Sequence, residues 1–339
     1  VAHAAVWTGR EMLVFGGSAL GVDALATGGA YAPAADAWRT LAPAPSPRGG
    51  HGAVWSGQEL LVFGGYESWG WPPAYKSDGL AYAPDADAWR ALPAAPLAPR
   101  AEPAVVFATT TGELLVWGGS APRESRDGPP PARYADGAAF HPGKGTWRPL
   151  AASPLSARSG HAAVWTGSHM LVYGGETGPE GQPASDAAAY DPRADRWQRI
   201  AVPPEVALRR GGAHGFSPAP GVALLTAAGG SGAGDGVRYD ARSGTWTRLP
   251  APGDGVLPVR SGSSLVWGAG RLWVVGGQPP DAGEDLADGA AFTLTTGAWS
   301  RVPPAPAPLH RASAVWTGCD LVFYGGTAHG TDRVLLYRP

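Results

Sequence analysis

Lysine and cysteine are nearly absent from these 339 residues. Cys319 is the single thiol, which excludes an intramolecular disulfide and any metal site built from several cysteines. Two lysines, Lys76 and Lys144, stand against 24 arginines; beside the heavy use of Ala, Gly and Pro this reads as codon bias rather than function. No run of like charge occurs and the formal net charge is −2, so the electrostatic footprint of a nucleic-acid or anionic-membrane surface is missing. No apolar stretch approaches the ~20 residues of a membrane span. No segment sustains a 3.6-residue apolar period, which leaves helices without support. The chain also lacks an initiator Met and starts at Val1-Ala2-His3, already inside a repeat. The expectation is that an upstream segment, a signal peptide or more, has been removed.

What is present is repetition. Residues 158–175 read RSGHAAVWTGSHMLVYGG, and the same sentence returns at 48–65 (RGGHGAVWSGQELLVFGG) and 3–17 (HAAVWTGREMLVFGG). Weaker copies occupy 260–277 and 311–326, and two degraded ones end at Gly118-Gly119 and Gly229-Gly230. Each unit opens with an apolar run ending in Trp, as at Trp7, Trp55, Trp165, Trp267 and Trp316. A tight Gly-containing turn follows, then a second apolar run into Gly-Gly, then a variable loop. The unit closes with a hairpin of an aromatic strand and a Trp strand, as in 188–200. Runs of four to six residues bounded by Gly, Pro and Asp are strands. The late Trp recurs at Trp38, Trp89, Trp147, Trp197, Trp246 and Trp299, and the chain stops before a seventh.

Units of about fifty residues with four strands each and a Gly/aromatic signature describe propeller blades. The Gly-Gly, the spaced Tyr and the late Trp resemble the kelch family along the whole chain. The expected fold is all-β, a single seven-bladed propeller over 1–339 made of four-stranded antiparallel blades. Blade limits fall at approximately 1–47, 48–99, 100–157, 158–208, 209–259, 260–310 and 311–339. Blade seven lacks its outer strand here, and kelch-like rings usually close by combining the two chain ends; residues upstream of Val1 are expected to supply that strand.

Strand direction groups the loops. Those joining strands 2–3 and 4–1 share one end of the blades, and the short, uniform 1–2 and 3–4 turns share the other. The variable end is where function concentrates on a rigid scaffold, and the resemblance implies partner binding there. Its blade-two loop carries Tyr66, Trp69, Trp71 and Tyr75, amphipathic rings suited to peptide or sugar recognition; alternatively they fold back as a small loop core. Its blade-three loop carries Arg123, Arg126, Arg133 and Tyr134 around three prolines, otherwise a solvated, Pro-stiffened loop. These eight residues are the candidate binding site.

Features that recur in nearly every blade receive a structural reading, since a substrate site needs asymmetry. Arg48, Arg100, Arg158 and Arg260 open their repeats, and Asp78, Asp136, Asp186, Asp235, Asp288 and Asp332 precede the third strand. The Asp side chains are expected to cap turn N–H groups or pair with the arginines. His3, His51, His161 and His214 repeat at the start of strand one, held apart in different blades, which argues against zinc. No catalytic residue, metal or cofactor is assigned. The leading reading is a non-catalytic module that binds a protein, peptide or glycan, with no nucleic acid and no membrane insertion, exported by a bacterium to an extracellular or periplasmic location. The alternative is a channel-centred carbohydrate enzyme. A copper-oxidase-like centre needs a Cys–Tyr pair, yet Cys319 sits in a short turn at the opposite end. A sialic-acid-mutarotase-like site has candidates in Glu124, Glu176 and Arg210.

Overall fold

The computed structural model describes residues 2–18, 23–68, 74–122, 130–207, 212–228, 235–253, 255–281, 283–326 and 334–338. Among them every regular element is a β-strand except one 3₁₀ turn at Pro204–Val206. The predicted all-β architecture is therefore what the structure shows, and no helix among the described residues is long and apolar enough to cross a membrane. The chain divides into two compact units, Val1–Ala201 and Val202–Pro339.

The first unit holds four four-stranded antiparallel sheets over 4–40, 52–91, 104–149 and 162–200. The second holds two more, over 212–248 and 264–302, and a three-stranded sheet over 313–337. The fourth sheet shows the common plan: Ala162–Trp165, Met170–Tyr173, Ala187–Asp191 and Arg196–Ile200, paired in chain order.

Strand composition follows position in the sheet. Strand two is uniformly apolar and buried throughout in the first, second and fourth sheets (Met12–Phe15, Leu60–Phe63, Met170–Tyr173), because both its faces meet side chains instead of water. Strand three alternates small residues with one aromatic, as in Gly79–Ala83. Strand four is mostly exposed and contributes its Trp. Within the first unit that Trp lies against strand two of the preceding sheet. Ring centroids are 4.5 Å apart for Phe15 and Trp89, 5.3 Å for Phe63 and Trp147 and 5.6 Å for Trp117 and Trp197. The indole N–H groups of Trp89, Trp147 and Trp197 donate to the carbonyls of Ala42, Pro93 and Ala151 at 2.8–3.0 Å. The recurring Trp thus joins neighbouring sheets, and each aromatic pair adds about 0.5–1.5 kcal/mol beyond area burial.

The glycine pair joins the same neighbours by backbone. Gly17, Gly65 and Gly119 donate N–H to the carbonyls of Arg48, Arg100 and Arg158, each in the next sheet, at 2.7, 2.8 and 3.0 Å. Gly16, Gly64, Gly118 and Gly276, each the first of its pair, have no room for a side chain: a Cβ on Gly64, whose φ is +67°, would lie 2.6 Å from the Arg100 carbonyl oxygen. Gly57, in the 1–2 turn of the same sheet, has φ +99° but nothing within 4 Å. Gly64→Ala should therefore cost on the order of 3 kcal/mol, combining strain with a backbone clash, and Gly57→Ala about 1 kcal/mol, from strain alone. Urea unfolding of the two variants measures the difference, and equal losses would contradict the clasp.

Candidate functional site

In the second, third, fourth and sixth sheets the variable loop begins by pairing with the 4–1 segment beside it. Gly49 bridges Tyr66, Ala101 bridges Ser120, Ser261 bridges Gln278, and Arg158–Ser159 pairs with Glu176–Thr177. The two kinds of loop therefore meet at one end, in both units. Tight turns mark the other end: Thr8, Ser56, Thr166 and Thr317 hydroxyls accept the N–H three residues on, closing each 1–2 turn.

Beneath the loops lies the bracket made by the recurring arginine and aspartate. Arg48, Arg100, Arg158 and Arg260 are buried, and each donates to the carbonyl of the first glycine of its own sheet's pair (Gly64, Gly118, Gly174 and Gly276) at 2.9–3.2 Å. The same guanidinium reaches the aspartate before strand three: Arg48–Asp78 at 2.6 Å, Arg100–Asp136 at 2.9 Å, Arg158–Asp186 at 2.8 Å and Arg260–Asp288 at 2.6 Å. Arg and Asp of one repeat meet, as the register suggested. The hydrogen bond from Arg260 holds the Asp288 carboxyl below the usual range, against the opposing effect of burial. In the last sheet Leu309 stands at the arginine's place; its carbonyl accepts from Gly277 at 2.6 Å. Arg210 and Asp332 lie outside the described residues.

The sequence-derived binding candidates divide three ways. Trp69, Trp71, Arg123 and Arg126 lie outside the described residues. Tyr66 does not face solvent: it is 2% exposed and packs with Ala24, Ala101 and Tyr75. Its ring covers Gly49 and Gly50, where an added Cβ would come within 2.6–2.8 Å of ring atoms. The fold-back alternative describes Tyr66, because two glycines beneath it leave a seat for an aromatic ring. Half-buried Tyr75 lies at its edge, 6.4 Å between ring centroids.

Arg133 and Tyr134 belong to a neighbouring group. Tyr134 stacks over the Arg100 guanidinium at 4.1 Å and donates its hydroxyl to the Pro99 carbonyl. Arg100 in turn donates its backbone N–H to Lys76 in the blade-two loop, so Arg100 is the hinge between the two loops. Arg133 is turned the other way, toward the fourth sheet, where it donates to Glu176 at 3.0 Å, to the Ser159 hydroxyl at 3.2 Å and to the Gly178 carbonyl.

One residue at this end was invisible to pattern reading. Five positions before the Trp, Gly50, Gly160 and Gly262 take φ of +58° to +67°. There the backbone links successive sheets, Gly50 N–H to Ala2 and Glu102 N–H to Gly50. In the third sheet the residue is Glu102, left-handed at φ +53°. No ion-pair or hydrogen-bond partner meets its carboxylate among the described residues. Its carboxyl is pushed above the ordinary glutamate range, first by desolvation and then by Glu176, with Arg133 opposing. Ala2 and Arg311 hold the same place in the first and last sheets, both left-handed at φ +59°, so glycine alternates there with other residues and the sequence carried no clear signal.

His51 and His161 are packing residues. His161 stands edge-on to Trp117 at 5.0 Å and against Gly118; His51 lies 5.4 Å from Phe15, against Gly16. Burial, reinforced by Arg158 and Arg48 respectively, pushes each imidazole down to about 3. His3 is close enough to His51 to add to its depression, so neighbouring inner strands separate these rings less than the repeat spacing implied. Cys319 is exposed, its thiol beside Thr317 and Asp320 in the 1–2 turn. Among the described residues no group of three or more His, Cys, Asp or Glu is placed to hold a metal ion.

The depressed imidazoles give a pH dependence. Unfolded histidines protonate near about pH 6.5, whereas the folded pair stays neutral down to about 3. Between those limits the unfolded chain binds more protons, so stability is lost as the pH is lowered, by about 1.4 kcal/mol per unit for each imidazole. Urea midpoints should drop between about pH 7 and about pH 5, and His51→Gln with His161→Gln should flatten that slope. An unchanged slope in the double variant would contradict the assignment.

The geometry agrees with an independent comparison. A family model, the KLHDC2/KLHL20/DRC7 Kelch-repeats domain, matches residues 2–217 and, in a second register, 72–277. None of the curated proteins compared matches the chain. The matched span carries the glycine pairs, the strand-three aromatics and the late tryptophans that join these sheets. This chain belongs to the kelch-repeat family.

Proposed function

We propose that this chain is a non-catalytic interaction module that takes a protein, peptide or glycan partner on the loop end of its first unit. Kelch-repeat domains are protein-interaction modules in general, and the choice of end rests on one observation. The strands and 1–2 turns of the sheets repeat closely, while the segments seated on the buried arginines are all different. The second sheet adds a hairpin, Tyr66–Ser68 with Ala74–Tyr75. The fourth adds a three-stranded sheet, Arg158–Ser159, Glu176–Thr177 and Gln182–Pro183. Invariant support beneath divergent loops is how a scaffold presents a specific surface.

Glu102 and Glu176 favour one competing reading. Two neighbouring carboxyl groups, one engaged by Arg133 and the other pushed upward, resemble the division of labour in acid–base catalysis on sugars. That arrangement supports a carbohydrate enzyme of the mutarotase type, which would use these residues with a small sugar and no peptide.

Selection of random peptides displayed on phage against the purified chain tests the interaction reading. Selected peptides should bind the parent chain and lose about tenfold or more in affinity for a Trp69→Ala, Trp71→Ala, Tyr75→Ala variant of unchanged thermal stability. A Gln58→Ala, Asp85→Asn variant at the turn end should bind them normally. Peptides that ignore the first variant and fail on the second would contradict the proposal; an oligosaccharide array read against the same variants examines the glycan case.

A further inference from the structure

The bracket that organises the loop end also sorts its charges. Arg48, Arg100 and Arg158 have no exposed side-chain surface, while their partners Asp78, Asp136 and Asp186 keep 37–54% of theirs. The same holds for the loop cations above them. Arg133 and Lys76 are 11% and 21% exposed, against 48% and 43% for Glu176 and Glu67. In each of these pairs the positive group faces inward and the carboxylate faces water; Arg199–Asp186, with the arginine 58% and the aspartate 37% exposed, is the exception at the loop end of the first unit. Three turn-end pairs run the other way: Glu11, Glu59 and Glu113 are 11–20% exposed, and their arginines Arg39, Arg90 and Arg148 33–44%, while Asp85, Asp87 and Asp195 at that end stay 50–86% exposed.

Three further loop-end acids, Asp23, Glu102 and Glu180, have no cationic partner among the described residues and are exposed. In the first unit the exposed cation at this end among the described residues is Arg199, shared between Asp186 and the Pro154 carbonyl; in the second unit Arg301 and Arg311 are exposed. Residues 123–129, outside the described residues, contribute two charges of each sign. A net charge of −2 for the whole chain hides this arrangement, because the cations are present but withdrawn.

Glu102 is the focus of the surface. It occupies a left-handed position that neighbouring sheets fill with glycine, at a cost of about 1 kcal/mol or more that a glycine would avoid. Its carboxylate lies beside Glu176 and within the influence of Arg133. A carboxylate with no ion-pair partner next to a second one is stabilised by an incoming ammonium or guanidinium group. Leu25, an exposed large apolar side chain in the first sheet's loop, adds contact area for the aliphatic stems of such residues.

Resting on the loop-end reading above, we infer that this surface docks a lysine- and arginine-rich protein segment, with Glu102 as its central contact. The dye-labelled peptides hexalysine and hexaglutamate, titrated against the full purified chain by fluorescence anisotropy, test it. Hexalysine should bind and hexaglutamate should not, and raising the salt from about 50 to about 300 mM should weaken hexalysine roughly tenfold. Asp23→Asn, Glu102→Gln and Glu180→Gln combined should weaken it about tenfold again, whereas Asp85→Asn at the turn end should not. Glu102→Gly separates contact from fold: it should raise the unfolding midpoint while lowering hexalysine affinity. Equal binding of hexaglutamate overturns the inference, as does hexalysine binding that survives the triple variant or follows Asp85. Unaltered hexalysine binding by Glu102→Gly removes Glu102 as the contact. If the selected phage peptides fail on the loop variant yet are acidic or apolar, the interaction reading stands and this inference falls.

Discussion

A buried guanidinium with nowhere else to go is the constraint on which the rest depends. Once an arginine is placed without solvent in a 4–1 segment, as Arg48, Arg100, Arg158 and Arg260 are, its hydrogen-bonding capacity must be met by protein, since an unpaired buried charge costs several kcal/mol. The structure meets it with the glycine carbonyl that ends strand two and the aspartate just before strand three, 16–18 and 28–36 residues downstream. That fixes where the loop departs and where it returns. The arginine's own carbonyl receives the glycine N–H of the preceding sheet, so one residue ties strand end, loop base and neighbouring sheet together.

Several features follow from that geometry. The carbonyl of Arg48, Arg100 or Arg158 approaches the glycine pair closely enough to exclude a Cβ, which is why the doublet accompanies the arginine. The histidine three residues on packs over the previous pair and must stay neutral in that setting. The loops above are relieved of holding themselves together and vary freely. Because the arginine is the buried partner, the charge left at the surface is negative. The polarity of the loop end is thus a by-product of its support, which later residues such as Glu102 and Glu180 reinforce.

Strand identity, sheet order and the Arg–Asp pairing were legible in the sequence because each depends on a residue doing the same local job in many copies. Repetition separated duty from accident: a lone Gly-Gly carries no message, while several in register carry one. Tyr66 was not legible as a buried ring, since its seat is created by Gly49 and Gly50 in a distant segment, and composition reports aromatic content without saying which way it faces. Arg133 looked like a free loop cation, yet its partners Ser159 and Glu176 come from the next sheet. Glu102 was missed for a different reason. Its column holds glycine in some sheets and Ala2 or Arg311 in others, so the residue acquires meaning only when the backbone there is seen to be left-handed.

Hydrogen–deuterium exchange on Arg100→Met examines the central claim most directly. If the buried guanidinium is what seats the loops, the variant loses amide protection in 97–103, 118–122 and 130–136 while strand two of the same sheet, Glu113–Trp117, exchanges as slowly as before. Protection lost evenly across the first unit would make Arg100 a general stability residue, and protection unchanged in those loops would show that they hold their place without it.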